Sequence, residues 1–243
     1  MGEAPFVAIW VYLAASPLLW LSLTLVCYLI AVRIYRFGGE SPWLNPVAIA
    51  VSLLIGLLLF TETPYQTYFD GAQFVHFLLG PATVSLAIPL YRQRERLRTL
   101  ALPIAAALIA GVSTAALSGI GLGKLLGASP ETLVSLAPKS VTAPVAMGIS
   151  EKLGGIPSLT AVLVVSTGIL GAVFGTGLFR LLGIRDEAVK GFALGVTSHG
   201  IGTARAFQVS PVMGAFSGLA MALSAFVTAL LLPPLLGWIG LVP

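Results

Sequence analysis

Apolar runs about as long as a bilayer is thick fill this chain almost from end to end, and they dictate its solvent. Of 243 residues, 13 are Lys or Arg and 9 are Asp or Glu, a charged fraction of 9% beside a hydrophobic fraction of 57%. A soluble domain carries about 25% charged and about 45–50% apolar residues. In water this chain would expose apolar surface that no monomer of its size can hide. One helix across the hydrocarbon core needs about 20 apolar residues, and the sequence predicts an all-α, polytopic membrane protein of about seven or eight transmembrane segments in a single membrane domain. The net charge of +4 is too small and too scattered for a nucleic-acid partner. The one cysteine, Cys27, lies inside an apolar run, so there is no disulfide framework.

Two N-terminal spans, Pro17–Tyr35 and Leu44–Phe60, follow a weak apolar segment, Pro5–Ala15. That segment lacks the positive start of a signal peptide, because no Lys or Arg precedes Arg33. Thr99–Gly121, Pro157–Leu181 and Pro211–Trp238 read as conventional spans. Three other segments of span length are interrupted: Gly71–Tyr91 at Gly80-Pro81, Ser129–Ser150 at Ala137-Pro138, and Asp186–Phe207 at Ser198–Gly202. The chain beyond residue 60 therefore divides into modules 61–125, 126–182 and 183–243, each a broken helix followed by an unbroken one.

The first two breaks align residue by residue, Leu79–Ser85 against Leu136–Thr142, at an offset of 57. A shift of 58 brings Ser140 onto Ser198. Backbone freed by a helix break inside lipid is tolerated only when buried or lining a cavity, and transporters place substrate there. The plain alternative is that the breaks are mere helix kinks, at proline in the first two.

If every span-length segment crosses, Arg33, Arg36, Arg92, Arg94, Arg96, Arg98 and Lys152 fall on one side. Lys124, Arg180, Arg185 and Lys190 then fall on the other. The Arg92–Arg98 cluster marks its side as cytoplasmic. With full crossing the modules are parallel repeats; if Ser129–Ser150 is instead re-entrant, the Arg180–Lys190 loop moves to that side and an inverted relation is permitted.

Ionisable groups inside the membrane are costly and mark function. Lys139 and Arg205 sit within broken segments, as do His76 and His199, whereas all nine acidic residues fall in loops or at span ends. A cationic interior without an internal carboxylate is short of an anion. Half-helices starting near Ser140 and Thr203 add positive dipole ends and free amides. The simplest partner is a small organic carboxylate held by Lys139 and by the bidentate fork of Arg205; the alternatives are that Lys139 caps carbonyls freed by Pro138 and that Arg205 snorkels to the interface or holds phosphate headgroups. His199 can donate a hydrogen bond or carry a proton. Ser140, Thr142, Ser198 and Thr203 either bind substrate hydroxyls or a coupling Na⁺, or satisfy freed backbone. His76, Thr83 and Ser85 in the first break are secondary candidates.

Enzyme motifs fail. Gly119–Lys124 has the look of a phosphate loop, but Leu125 stands where Ser or Thr is required. Ser198-His199 is no catalytic pair without an embedded carboxylate. There is no metal-ligand cluster and no cofactor signature, so a carrier with H⁺ or Na⁺ as coupling ion is favoured over an enzyme. Gly171/Gly175, Gly191/Gly195 and Gly214/Gly218 mark close helix packing.

The blocks Leu79–Val84, Pro138–Met147, Gly154–Val162 and Thr197–Arg205 resemble the LrgB/CidB family, and so do Asn45-Pro46 and Pro89-Leu90-Tyr91. The resemblance covers essentially the whole chain, with departures at Ala143 and Gly148. It implies a multi-pass protein of the bacterial cytoplasmic membrane, antiholin-like in the control of murein hydrolases and autolysis, with a small holin-like partner. The C-terminal half of the plastid glycolate/glycerate translocator is similar, which implies transport of glycolate, glycerate, lactate or pyruvate. By position, it also implies that Lys139, Ser140, Thr142, Ser198, His199, Thr203 and Arg205 form the central site. A homo-oligomer, with a dimer favoured, is expected of a carrier of this size.

Overall fold

A computed structural model describes residues 16–78, 81, 84–85 and 87–242. Pro5–Ala15 and most of the Gly80-Pro81 break, Thr83 included, lie outside the described residues. Every regular element among the described residues is helical, and five stretches are long and apolar enough to cross a membrane: Pro17–Phe37, Pro42–Phe60, Ala101–Leu125, Pro157–Leu181 and Pro211–Trp238. The chain forms two compact units, residues 1–85 and 86–243.

The first unit holds α1 (Pro17–Phe37), α2 (Pro46–Phe60) and α3 (Tyr65–Phe77). Asn45 caps α2, its side-chain oxygen accepting from the amides of Val47 and Ala48 at 2.9 and 3.2 Å. α3 packs on α1 through Trp20, fully buried, which meets the Tyr68 ring edge-on at 5.9 Å.

The second unit holds α4 (Ala87–Arg92), α5 (Arg94–Thr99), α6 (Ala101–Leu125), α7 (Pro130–Leu136), α8 (Ala143–Lys152), α9 (Pro157–Leu181), α10 (Glu187–Val209) and α11 (Pro211–Trp238). Two of these elements turn back instead of crossing. In the first hairpin, α7 and α8 lie side by side, with Val134 and Ile149 in one apolar cluster. The inner end of α7 is pinned to the outer end of α8 and the start of α9. The Thr160 hydroxyl donates to Ser150 Oγ at 2.8 Å and to the Ser135 carbonyl at 3.1 Å, and the Ile156 amide donates to Ser135 Oγ at 2.7 Å. Gly155 has no room for a Cβ against Ser150 and Ser135, which is why these three hydroxyl residues can converge.

The second hairpin is α10 itself. Ser210 Oγ donates to a Glu187 carboxylate oxygen at 2.8 Å, although a straight helix would hold those residues about 34 Å apart. The reversal is at His199, whose φ of 40° and ψ of −130° are outside the helical region. Leu194 before it and Ala206 after it pack into one cluster with Met213. Gly191 and Gly195 bring the first arm onto the carbonyls of Met213 and Ser217 in α11, and Gly214 lets Phe207 of the second arm lie against that helix. The small-residue pairs thus serve packing within one chain.

The sequence leaves full crossing and a re-entrant Ser129–Ser150 open, and these contacts favour the re-entrant form, for Asp186–Phe207 as well. Arg96 donates to Asp186 at 2.5 Å and covers the Phe216 ring at 5.6 Å, so the Arg92–Arg98 and Arg180–Lys190 regions share one end of this unit. Composition and length could not separate a pair of half-length helices from one spanning helix. α11 runs from that basic end to the opposite one, where Leu232 and Leu236 join Val134 and Ile149. Hairpin plus α9, and hairpin plus α11, are therefore inverted repeats entering from opposite ends.

Candidate functional site

The arms, seven to twelve residues long, rise about 10–18 Å, so two hairpins entering from opposite faces meet near the middle of a core of about 30 Å. Their tips do meet. Pro138, Ser140 and Val141 of the first tip share a cavity of about 10 Å³ with Val196 of α10, Thr228 of α11 and Ala115 of α6. Val164 of α9 ties the two tips together. Its side chain packs on Val141 and Ala146, while its carbonyl lies 2.9 Å from His199 Nε2. A carbonyl only accepts, so Nε2 carries the proton. Gly168 makes this possible: a Cβ there would stand 2.8 Å from the imidazole.

Lys139 is half-buried at the first tip, and its Nζ donates to the Ala115 carbonyl at 2.6 Å. It crosses α6 over Gly119, where a Cβ would meet Nζ at 2.7 Å. Two of the three glycines that mimic a phosphate loop are thus the floor for the first hairpin, Gly119 under Lys139 and Gly123 seating Leu133 and Leu136. Ser140 is buried beside Lys139. Thr142 is the N-cap of α8, and its hydroxyl makes no capping bond.

At the second tip Ser198 is fully buried, its Oγ 3.2 Å from Thr197 Oγ1 and pressed on Gly171. The second half-helix starts at Gly200, three residues earlier than expected. Thr203 accordingly lies inside its first turn, donating to the His199 carbonyl at 2.8 Å and pairing with Ser217 Oγ at 3.0 Å. Its hydroxyl serves freed backbone, one of the two roles open from the sequence. Arg205 is not among the residues gathered at the tips. It lies six residues past His199, half-buried, about 9 Å along the arm toward the basic end, with Nη1 donating to Gln208 at 3.1 Å. His76 falls on α3 in the first unit, its side chain outside the described residues. Ser85 is exposed.

The acids of the second unit, Glu95, Glu131, Glu151, Asp186 and Glu187, keep to element ends. Asp186 caps α10, and its carboxyl is held below the ordinary carboxylate range by the Val189 amide first; burial opposes this next, and Arg96 and the Ala188 amide lower it further. Lys139 and two helix N-termini face the tips with no carboxylate among them. The buried trio Ser135, Ser150 and Thr160 and the α6 seat of Lys139 were missed in the sequence. A close pair of glycines, Gly154-Gly155, preceding Thr160 was the available sign.

The LrgB-like family model matches residues 24–238. The YwbG protein of Bacillus subtilis (strain 168), itself uncharacterized, is 38% identical over 90% of this chain and 96% of its own length. A protein of Staphylococcus aureus (strain N315) named "Holin-like protein CidB" is 33% identical over 90% of this chain and 95% of its own. No solved structure matches. The extent of the family match and the near-complete overlap with these relatives make this chain a multi-pass membrane member of the LrgB-like family.

Proposed function

We propose that this protein is a secondary carrier of small organic monocarboxylates in the bacterial cytoplasmic membrane, working as a homo-oligomer, with glycolate, glycerate, lactate and pyruvate as the substrate class. One observation carries the reading: two opposed hairpins bring Lys139 and two helix N-termini together at mid-depth with no carboxylate beside them. Lys139 supplies the charge that a carboxylate neutralises, and Ser140 with the free Thr142 hydroxyl hydrogen-bonds its oxygens. His199 holds the second tip to α9 and carries a coupled proton; Na⁺ is the alternative coupling ion. Arg205, nearer the basic end, receives the anion on that side. At about 10 Å³ the tip cavity takes one water and no three-carbon acid, so transport requires the tips to part.

Proteoliposomes containing this protein alone should take up labelled glycolate, glycerate or pyruvate saturably. Folded Lys139→Ala and Arg205→Ala proteins should lose that uptake. Absence of both uptake and binding for every small acid, with folding demonstrated, removes the carrier reading.

A second reading is favoured by the relatives named holin-like: a regulator that transports nothing and acts on a small holin-like membrane protein to control murein hydrolases. It predicts no uptake alone, together with altered autolysis on co-expression that survives Lys139→Ala.

A further inference from the structure

The basic end of the second unit holds a crevice of about 440 Å³ that the carrier reading leaves unused. Arg180 from the last turn of α9, Arg185 from the connection and Lys190 from the first arm of α10 surround it. Phe179, Ile184 and Met213 supply apolar lining. No carboxylate lines it, and the two acids nearest in sequence are engaged: Asp186 with Arg96, Glu187 with Ser210. Among the described residues, none of the three cations forms an ion pair. Like charges gathered around one concavity repel until an anion enters.

Two properties select the anion. Guanidinium groups present planar forks that match phosphate oxygens, and the lysine adds a point charge. The apolar lining, at the terminus of a span, suits an amphiphile better than a freely soluble ion, and basic pockets between helices on the positive side of a membrane protein suit lipid headgroups. We infer that the crevice binds the phosphate of an anionic phospholipid, with its glycerol and first acyl carbons on Ile184 and Val209. The crevice spans α9, the first arm of the second hairpin through Lys190, and the end of its second arm through Val209. A bound lipid therefore ties the root of that hairpin to α9.

Native mass spectrometry and thermal unfolding of the detergent-purified protein test this, with phosphatidylglycerol, cardiolipin, phosphatidylcholine and inorganic phosphate as separate probes. The anionic lipids should remain as adducts and raise the melting temperature, while phosphatidylcholine and phosphate should do neither. Combined Arg180→Gln, Arg185→Gln and Lys190→Gln should weaken apparent lipid affinity about 100-fold, at about a fivefold loss per cation. Lys124→Gln with Lys152→Gln at the opposite end should change nothing. Phosphate stabilising as well as lipid would establish a free-phosphate site and overturn the lipid assignment. Equal response to phosphatidylcholine, or undiminished retention by the folded triple variant, overturns the site. The comparison of probes on the unmodified protein decides the case even if the triple variant does not fold.

Discussion

His199 occupies backbone space that a side-chain-bearing residue adopts at a cost of order 1–3 kcal/mol, and its surroundings hold it there. Val164 accepts from its ring, Thr203 donates to its carbonyl, and Gly168 and Gly171 leave space for it and for Ser198. These glycines are consequently the sensitive positions. Gly168→Ala and Gly171→Ala drive a methyl into the imidazole and the Ser198 side chain, and each should destabilise by about 1–3 kcal/mol. Gly177→Ala on the same helix meets nothing within 4 Å and should leave unfolding unchanged within about 1 kcal/mol. Thermal unfolding in detergent ranks the three. Equal behaviour would mean that α9 does not cradle the second tip.

At the scale of elements, a re-entrant hairpin must keep its root together as well as its tip. The second hairpin does this with Ser210–Glu187 and with Asp186, which caps α10 and pairs with Arg96, while in the first, buried hydroxyls fasten Ser135 at the inner end of α7 to the end of α8 and the start of α9. A folded-state carboxyl below its ordinary value contributes stability above the ordinary carboxylate range and loses it as the pH falls through the folded value. Asp186→Asn keeps a capping oxygen but not the charge. At pH 7 it should be less stable by about 0.5–1 kcal/mol, since the pair is partly exposed. The deficit should close as the pH drops below about 4. A deficit independent of pH would show that the ion pair contributes nothing.

Over the whole second unit, the hairpins put Arg92, Arg94, Arg96, Arg98, Arg180, Arg185 and Lys190 at one end and Lys124 and Lys152 at the other. This is a steeper charge bias than full crossing provides, and it predicts that the first end faces the cytoplasm. In a Cys27→Ser background, Arg98→Cys and Arg185→Cys should resist an impermeant maleimide added to intact cells, and Lys152→Cys should react. Full crossing predicts the reverse for the last two. Labelling at position 185 from outside would sink the inverted arrangement.

The scarcity of charge placed the chain in a bilayer, and continuous apolar runs of about 20 residues made it helical, because a barrel strand would alternate over about ten. The sequence also marked where helices break: Pro138 removes a helical amide, and Ser198–Gly202 is poor in helix formers. The spans Pro157–Leu181 and Pro211–Trp238 have the same bounds in sequence and structure, since proline starts both and apolar length ends them. What a break does next depends on contacts between residues distant in sequence, such as Arg96 with Asp186 and Thr160 with Ser135. Only tertiary structure therefore decided that two broken segments turn back, that their tips meet at Val164, and that Lys139 and His199 belong to that meeting while Arg205 lies along the arm. Hydrophobicity records how much chain is in lipid; the direction in which it travels is set by packing.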